Sequence, residues 1–146
     1  MNTNTQNAST GSRAFRSDLF CVERLKVEPG GERIPSEHEE QRAFVEVWRK
    51  AGLPRIFAIP NGEARGIRAA TRLKAEGVSK GVPDLYCPEW RLWIEFKRRK
   101  GGSVSQDQKD WHEYLQECGD TVIIPKGAHQ AVGMVIDFME SNKGSF

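Results

Sequence analysis

The chain has 146 residues, 38% of them hydrophobic and 29% charged, and a formal net charge of +2 at pH 7. That length fits one domain with a modest core, and so small a net charge excludes a global basic field, so any nucleic-acid surface must be local. The longest apolar runs, such as Ala131–Met139, are far too short to span a bilayer. The polar opening M-N-T-N-T-Q-N-A-S-T-G-S-R lacks the apolar stretch of a signal peptide, so a cytoplasmic protein is the expectation.

Residues 1–35, rich in Asn, Thr, Ser, Gly and charge, read as a flexible arm with one weak apolar patch, Leu19–Val22. A helix start follows: Ser36 is an N-cap, and Glu39 three residues later completes a capping box. Ala43, Phe44, Val47, Trp48 and Ala51 recur at helical spacing, and Gly52-Leu53-Pro54 ends the helix. Arg55–Pro60 is a short strand closed by the turn pair Asn61-Gly62. Ala64–Glu76 is helical, with basic residues spread around it and Gly77 as its cap. Asp84–Cys87 and Leu92–Lys97 read as strands joined by a turn near Pro88-Glu89-Trp90. Ser103 or Ser105 caps a third helix carrying Trp111, Tyr114, Leu115 and Cys118; then come a strand, Thr121–Ile124, and a last helix from about Ala128 to Glu140.

The order is α-β-α-β-β-α-β-α, an α/β fold in which helices flank a sheet. One domain spans 36–141, with a short tail at 142–146. The cysteines, Cys21, Cys87 and Cys118, lack zinc-ligand spacing and read as reduced, packed thiols. His38, His112 and His129 read as surface or satisfied residues rather than ligands. Trp48 and Trp111 are expected as core anchors, whereas one of Trp90 and Trp93 is left to face outwards.

The chemistry gathers at G-V-P-D-L-Y-C-P-E-W-R-L-W-I-E-F-K-R, residues Gly81–Arg98. Strand side chains alternate between faces, so Glu95 and Lys97 share one face, while Ile94 and Phe96 take the other. The distance from Asp84 suits a tight hairpin return, which sets Asp84 beside Glu95. Two adjacent carboxylates repel unless a cation joins them, and Mg²⁺ takes one or two carboxylates plus waters and phosphate oxygens. Lys97 on the same face is suited to the attacking water or the scissile phosphate. The chemistry implied is metal-assisted phosphodiester hydrolysis. Arg98-Arg99-Lys100 then forms a basic run before Gly101-Gly102, suited to a phosphate backbone.

These residues resemble the PD-(D/E)xK nuclease signature, with Pro83-Asp84 as its first half and Glu95-Phe96-Lys97 as its second. More narrowly, the chain resembles the VRR-NUC (virus-type replication-repair nuclease) family. That match rests on Ser36–Gln41 opening a helix that reaches Trp48, on Pro60–Arg65, on Leu73-Lys74, Gly77 and Gly81–Asp84, and on Gly102, Ser105, Gln108 and Trp111.

The resemblance implies a PD-(D/E)xK core, a mixed sheet flanked by helices. It also implies a DNA endonuclease dependent on Mg²⁺ or Mn²⁺, acting as a homodimer on Holliday junctions or other branched DNA in phage or prophage replication, recombination or repair. Asp84 and Glu95 would be metal ligands with the Phe96 backbone carbonyl, and Lys97 would position or activate the water. The first helix would add an acid: Glu37, with Gln41 beside it, is favoured, and Glu40 is the alternative. Gln108 is expected to reach toward Lys97. Asn61, Arg65, Arg68, Arg72, Lys74, Lys80, Arg98, Arg99 and Lys100 form the expected DNA surface. The alternatives are a sequence-specific restriction-type nuclease on the same core and a non-catalytic DNA-binding module.

Overall fold

The computed structural model describes residues 33–60 and 67–143, so the arm as far as residue 32, with Leu19–Val22 and Cys21, lies outside the described residues. Within them the elements are α1 (Glu37–Lys50), β1 (Phe57–Ala58), α2 (Ile67–Ala75), β2 (Leu85–Cys87), β3 (Leu92–Ile94), α3 (Gln106–Glu117), β4 (Thr121–Ile123) and α4 (Ala128–Ser141). The element order agrees with the sequence reading. The helix boundaries agree where local chemistry sets them. Ser36 accepts from the Glu39 N–H while Glu39 reaches back to the Ser36 N–H, and Ser105 does the same with Gln108, so Ser105 and not Ser103 is the cap.

The four strands form one sheet in the order β1-β2-β3-β4. β1 and β2 are antiparallel, as are β2 and β3, in the register Leu85↔Ile94, Tyr86↔Trp93 and Cys87↔Leu92. β4 runs parallel to β3, with α3 as the crossover between them. α1 and α4 pack together against one face. The core there takes Phe44, Val47 and Trp48 from α1. The sheet adds Leu85, Leu92, Ile94 and Phe96, and α4 adds Ala131, Val132 and Val135. Phe44 stands 5.5 Å, ring to ring, from Phe96 and 5.7 Å from Trp48, which fixes α1 over the second half of the signature.

The strands are shorter than their hydrophobic patterns suggested. Continuing the hairpin register sets Asp84 across from Glu95 and Phe96 across from Pro83. Proline has no N–H to donate, so the β2–β3 ladder ends there. The Phe96 N–H instead donates to Asp84 Oδ2 at 2.7 Å. On its other side the strand stays paired, since Glu95 N–H donates to Ile123 O and Lys97 N–H to Pro125 O. The run Glu95–Lys97 is therefore held from both sides, on one by a carboxylate and on the other by backbone.

Three sequence expectations need correction. Cys118 is exposed rather than packed, whereas Cys87 is buried and free as expected. Trp111 is no core anchor: it is only partly buried, and its indole N–H donates to Ser79 Oγ at 3.2 Å. His112 is buried with Nε2 unpartnered, so it is neither a surface nor a satisfied residue. Trp90 joins the core, and Trp93 faces the other side of the sheet.

Candidate active site

Glu95 is 1% exposed and Lys97 7% exposed, a depth at which an ionisable side chain needs a partner. The partners are each other and Gln108. Lys97 Nζ donates to Glu95 Oε1 at 2.7 Å and to Gln108 Oε1 at 2.9 Å. Gln108 Nε2 donates back to Glu95 Oε1, which closes a ring of three side chains. Gln108 Oε1 also accepts the Ser105 N–H at 2.9 Å, so the residue that caps α3 also pins the lysine. α3 thus delivers Gln108 to the Lys97 side, as the sequence reading expected. His112, one turn further along, is buried, and its pKa is lowered by that burial and by the charge of Lys97.

The other Glu95 oxygen, Oε2, is buried with no hydrogen-bond partner. The pKa of Glu95 is raised from the ordinary 4.5 to about 7, first by burial and then by the charge of Asp84, with a smaller push from Glu37. Lys97 opposes these effects without overcoming them. Negative charge is in excess here, which is the condition a bound cation would relieve.

Asp84, Glu95, Glu37, Gln41 and Gln108 all line one open cleft of about 1520 Å³. Gly81 shapes the approach to Asp84. Its φ is +92°, and a Cβ there would lie 2.6 Å from the Asp107 backbone, so the loop seats against the start of α3 only with glycine. No group of three His, Cys, Asp or Glu residues among the described residues is gathered tightly enough to form a ready cation cage. The donor set still suits Mg²⁺ or Mn²⁺, which accept one or two carboxylates and complete their shell with water and phosphate oxygens.

The two acids left open on α1 have separate places. Glu37 is half-buried and lines the cleft beside Gln41. Glu40 is 3% exposed, with Oε2 accepting the Ala128 N–H at the start of α4 at 2.7 Å. Arg99 Nε lies 2.6 Å from Glu40 Oε1, an ion pair whose N–H is not aligned as a hydrogen bond. α4 has Gly127 at its N-cap, which offers no side chain, and Glu40 supplies the missing acceptor. Glu40 is a structural tie, not a supporting residue of the cleft. Helical spacing carried the signal: Glu40 lies on the same stripe as Phe44, Val47 and Ala51.

The expected DNA surface divides. Lys74, Lys80 and Arg98 line the cleft, with Lys80 paired to Asp107 at 2.8 Å on its rim. Arg99 turns inward to Glu40, so it leaves the surface set, and Arg72 pairs with Glu76 at 3.3 Å on the exposed side of α2. Lys100 is exposed. Asn61, Arg65 and the side chain of Arg68 lie outside the described residues.

Among solved structures, the chain is similar to a VRR_NUC domain protein, with a TM-score of 0.59 and 22% identity over 74% of this chain and 91% of that one. The fold is therefore that of a VRR_NUC domain, the mixed four-stranded sheet flanked by helices that the signature residues implied. No family model and no curated protein matches the chain. No helix among the described residues is long and apolar enough to cross a membrane.

Proposed function

We propose that the chain is a divalent-metal-dependent DNA endonuclease that hydrolyses phosphodiester bonds in Holliday junctions or other branched DNA. One observation carries the reading: a buried Glu95 with an unpartnered oxygen, facing Asp84 in an open cleft and backed by Lys97 and Gln108. A fold shared with a VRR_NUC domain protein supports it. So does the energetic argument, since a buried like-charged pair persists where function uses it.

Asp84, Glu95 and the Phe96 carbonyl would hold Mg²⁺ or Mn²⁺, with Glu37 contributing from α1. The bound cation supplies Lewis acidity and neutralises charge that builds on the phosphate. The chain's own residues do the rest. The Lys97 ammonium has three N–H groups; Glu95 and Gln108 take two of them, and the third is left to orient a water or a phosphate oxygen. Gln108 restricts the lysine to one geometry, which keeps its charge in place as negative charge develops. The oriented water attacks phosphorus, the bond to the leaving sugar oxygen breaks, and that oxygen departs with a proton. Lys74, Lys80 and Arg98 on the cleft walls attract the backbone. A homodimer with twofold symmetry matches the pairing of two sites across a four-way junction, and a phage or prophage setting fits such a substrate.

The test is a panel of labelled DNAs (single strand, duplex, flap, splayed arm and four-way junction) incubated with Mg²⁺ or Mn²⁺. Cleavage of the branched forms by the wild type, lost in Asp84→Ala and Lys97→Ala, is expected. Cleavage by either variant at the wild-type rate would overturn the assignment.

A further inference from the structure

Beside the acid cleft lies a second, smaller groove of about 190 Å³ between α1 and β1. His38, Arg42, Val45 and Arg49 form its α1 wall, a stripe at helical spacing distinct from both the core stripe and the Glu37–Gln41 face. Ile56 and Phe57 form the other wall. The groove is continuous with the cleft, because His38, Gln41 and Ala58 line both.

Its composition is unusual for a sheet edge. Phe57 is 49% exposed on the edge strand. Its ring is braced edge-on by Tyr86 at 5.8 Å, and Tyr86 is stacked on Trp93 at 4.1 Å. Phe57 is therefore a large apolar ring, held in place by other rings and open to solvent, outside the core cluster. Arg42 and Arg49 are exposed and make no ion pair among the described residues; the nearby acid, Glu46, is bonded to Lys50 at 2.7 Å. Seven residues of helix set the two arginines roughly 10 Å apart along the axis, so a strand lying along α1 meets both.

We infer that this groove binds an unpaired DNA strand leading to or from the scissile phosphate, a reading that rests on the nuclease function proposed above. Arg42 and Arg49 pair with its phosphates, and Phe57 offers a platform for one base. Single strands satisfy both demands at once, because they present anionic backbone together with free base faces. A blunt duplex keeps its bases stacked on one another and has nothing to offer Phe57. The groove therefore narrows the substrate class, within branched DNA, to forms with an unpaired arm such as flaps and splayed arms.

Binding and cleavage are measured separately on the full chain. Fluorescence anisotropy in EDTA follows a short oligo-dT, a splayed arm and a blunt duplex of the same length. Loss of one stacked base weakens binding about fivefold to a hundredfold. Phe57→Ala is expected to lower oligo-dT and splayed-arm affinity by that factor relative to blunt duplex. Phe57→Trp should retain the preference, and Phe57→Leu, which keeps apolar cover without a ring, should lose it. The double variant Arg42→Gln/Arg49→Gln, at two exposed positions, should weaken oligo-dT binding and flatten its salt dependence.

Wild-type protein that does not bind oligo-dT, or Phe57→Ala and Phe57→Leu proteins that keep the wild-type ratio of splayed arm to duplex, would overturn the inference. Cleavage distinguishes the two readings. A wild type that binds the strand as described but cuts no DNA with Mg²⁺ or Mn²⁺ sinks the nuclease reading alone. One that cuts branched DNA while all variants keep their ratios sinks the groove alone.

Discussion

Replacing Asp84 with Asn removes a charge from beside Glu95 but keeps an oxygen to accept the Phe96 N–H, so its effect on stability can be worked out with its sign. The Glu95 pKa in the folded protein is raised from 4.5 to about 7. Between those values the folded state holds a proton that the unfolded chain has released, so stability falls as pH rises through the window and stays low above it. At about 1.36 kcal/mol per pKa unit the full loss approaches 3 kcal/mol. Burial is the larger cause and Asp84 the second, which leaves roughly 1 kcal/mol to the Asp84 charge.

Near pH 5 Glu95 is protonated and offers no charge for Asp84 to repel. There the substitution shows only the weaker, uncharged hydrogen bond to Phe96, a loss of about 0.5–1 kcal/mol. Near pH 8 the relief of repulsion adds to that loss with opposite sign. Urea denaturation in EDTA at both pH values gives the difference directly. Asp84→Asn should gain about 1 kcal/mol on going from the lower to the higher pH, relative to wild type, while losing all metal-dependent cleavage. An Asp84→Asn penalty that is equal at the two pH values would refute the electrostatic reading of the site.

Two further outcomes follow from neighbouring contacts. Glu40→Ala strands Arg99 and uncaps α4, so urea denaturation should show a loss of about 3–5 kcal/mol, whereas Glu37→Ala should abolish cleavage with a stability change under about 1 kcal/mol; the reverse pattern would make Glu40 the α1 acid. Gln108→Ala removes a donor to Glu95 and an acceptor for Lys97, and a stability loss of about 1–3 kcal/mol is expected with a lower kcat and an unchanged KM. A raised KM alone would assign Gln108 to DNA binding instead.

The fold was legible wherever local chemistry decided it. Both capping boxes, the hairpin register and the parallel return strand follow from residues close in sequence, and the helix boundaries at Ser36 and Ser105 came from side chains that satisfy the first N–H groups. The strand ends were less legible, because hydrophobic runs do not reveal where pairing stops. Leu92–Lys97 reads as one strand, yet the β2–β3 ladder breaks where Pro83 has no N–H to give and Asp84 substitutes for it. The placement of Trp111 and Cys118 on the outer part of α3 was hidden for a similar reason: an amphipathic pattern marks a face, but only the packing of α3 beside β4 sets how much of that face is covered.

The site divides along the same line. Asp84, Glu95 and Lys97 were legible because strand periodicity alone puts them on one face. Glu37 and Glu40 were not separated by composition, since both are acids in the first turn of one helix. Their spacing to Phe44 and Val47 decides the matter, because an acid on the core stripe must find a buried partner, and Arg99 and the Ala128 N–H are that partner. Arg99 was misplaced for the complementary reason: a basic run after an active-site strand looks like a phosphate clamp until one of its members is claimed by an acid distant in sequence. The Phe57 groove lies at the far end of this scale. Nothing in Arg55–Pro60 marks Phe57 as exposed, because its exposure depends on β1 becoming the sheet edge and on the Arg42–Arg49 stripe of α1 lying alongside. Chemistry carried by one element can be read from sequence, whereas chemistry made where two elements meet depends on how they pack.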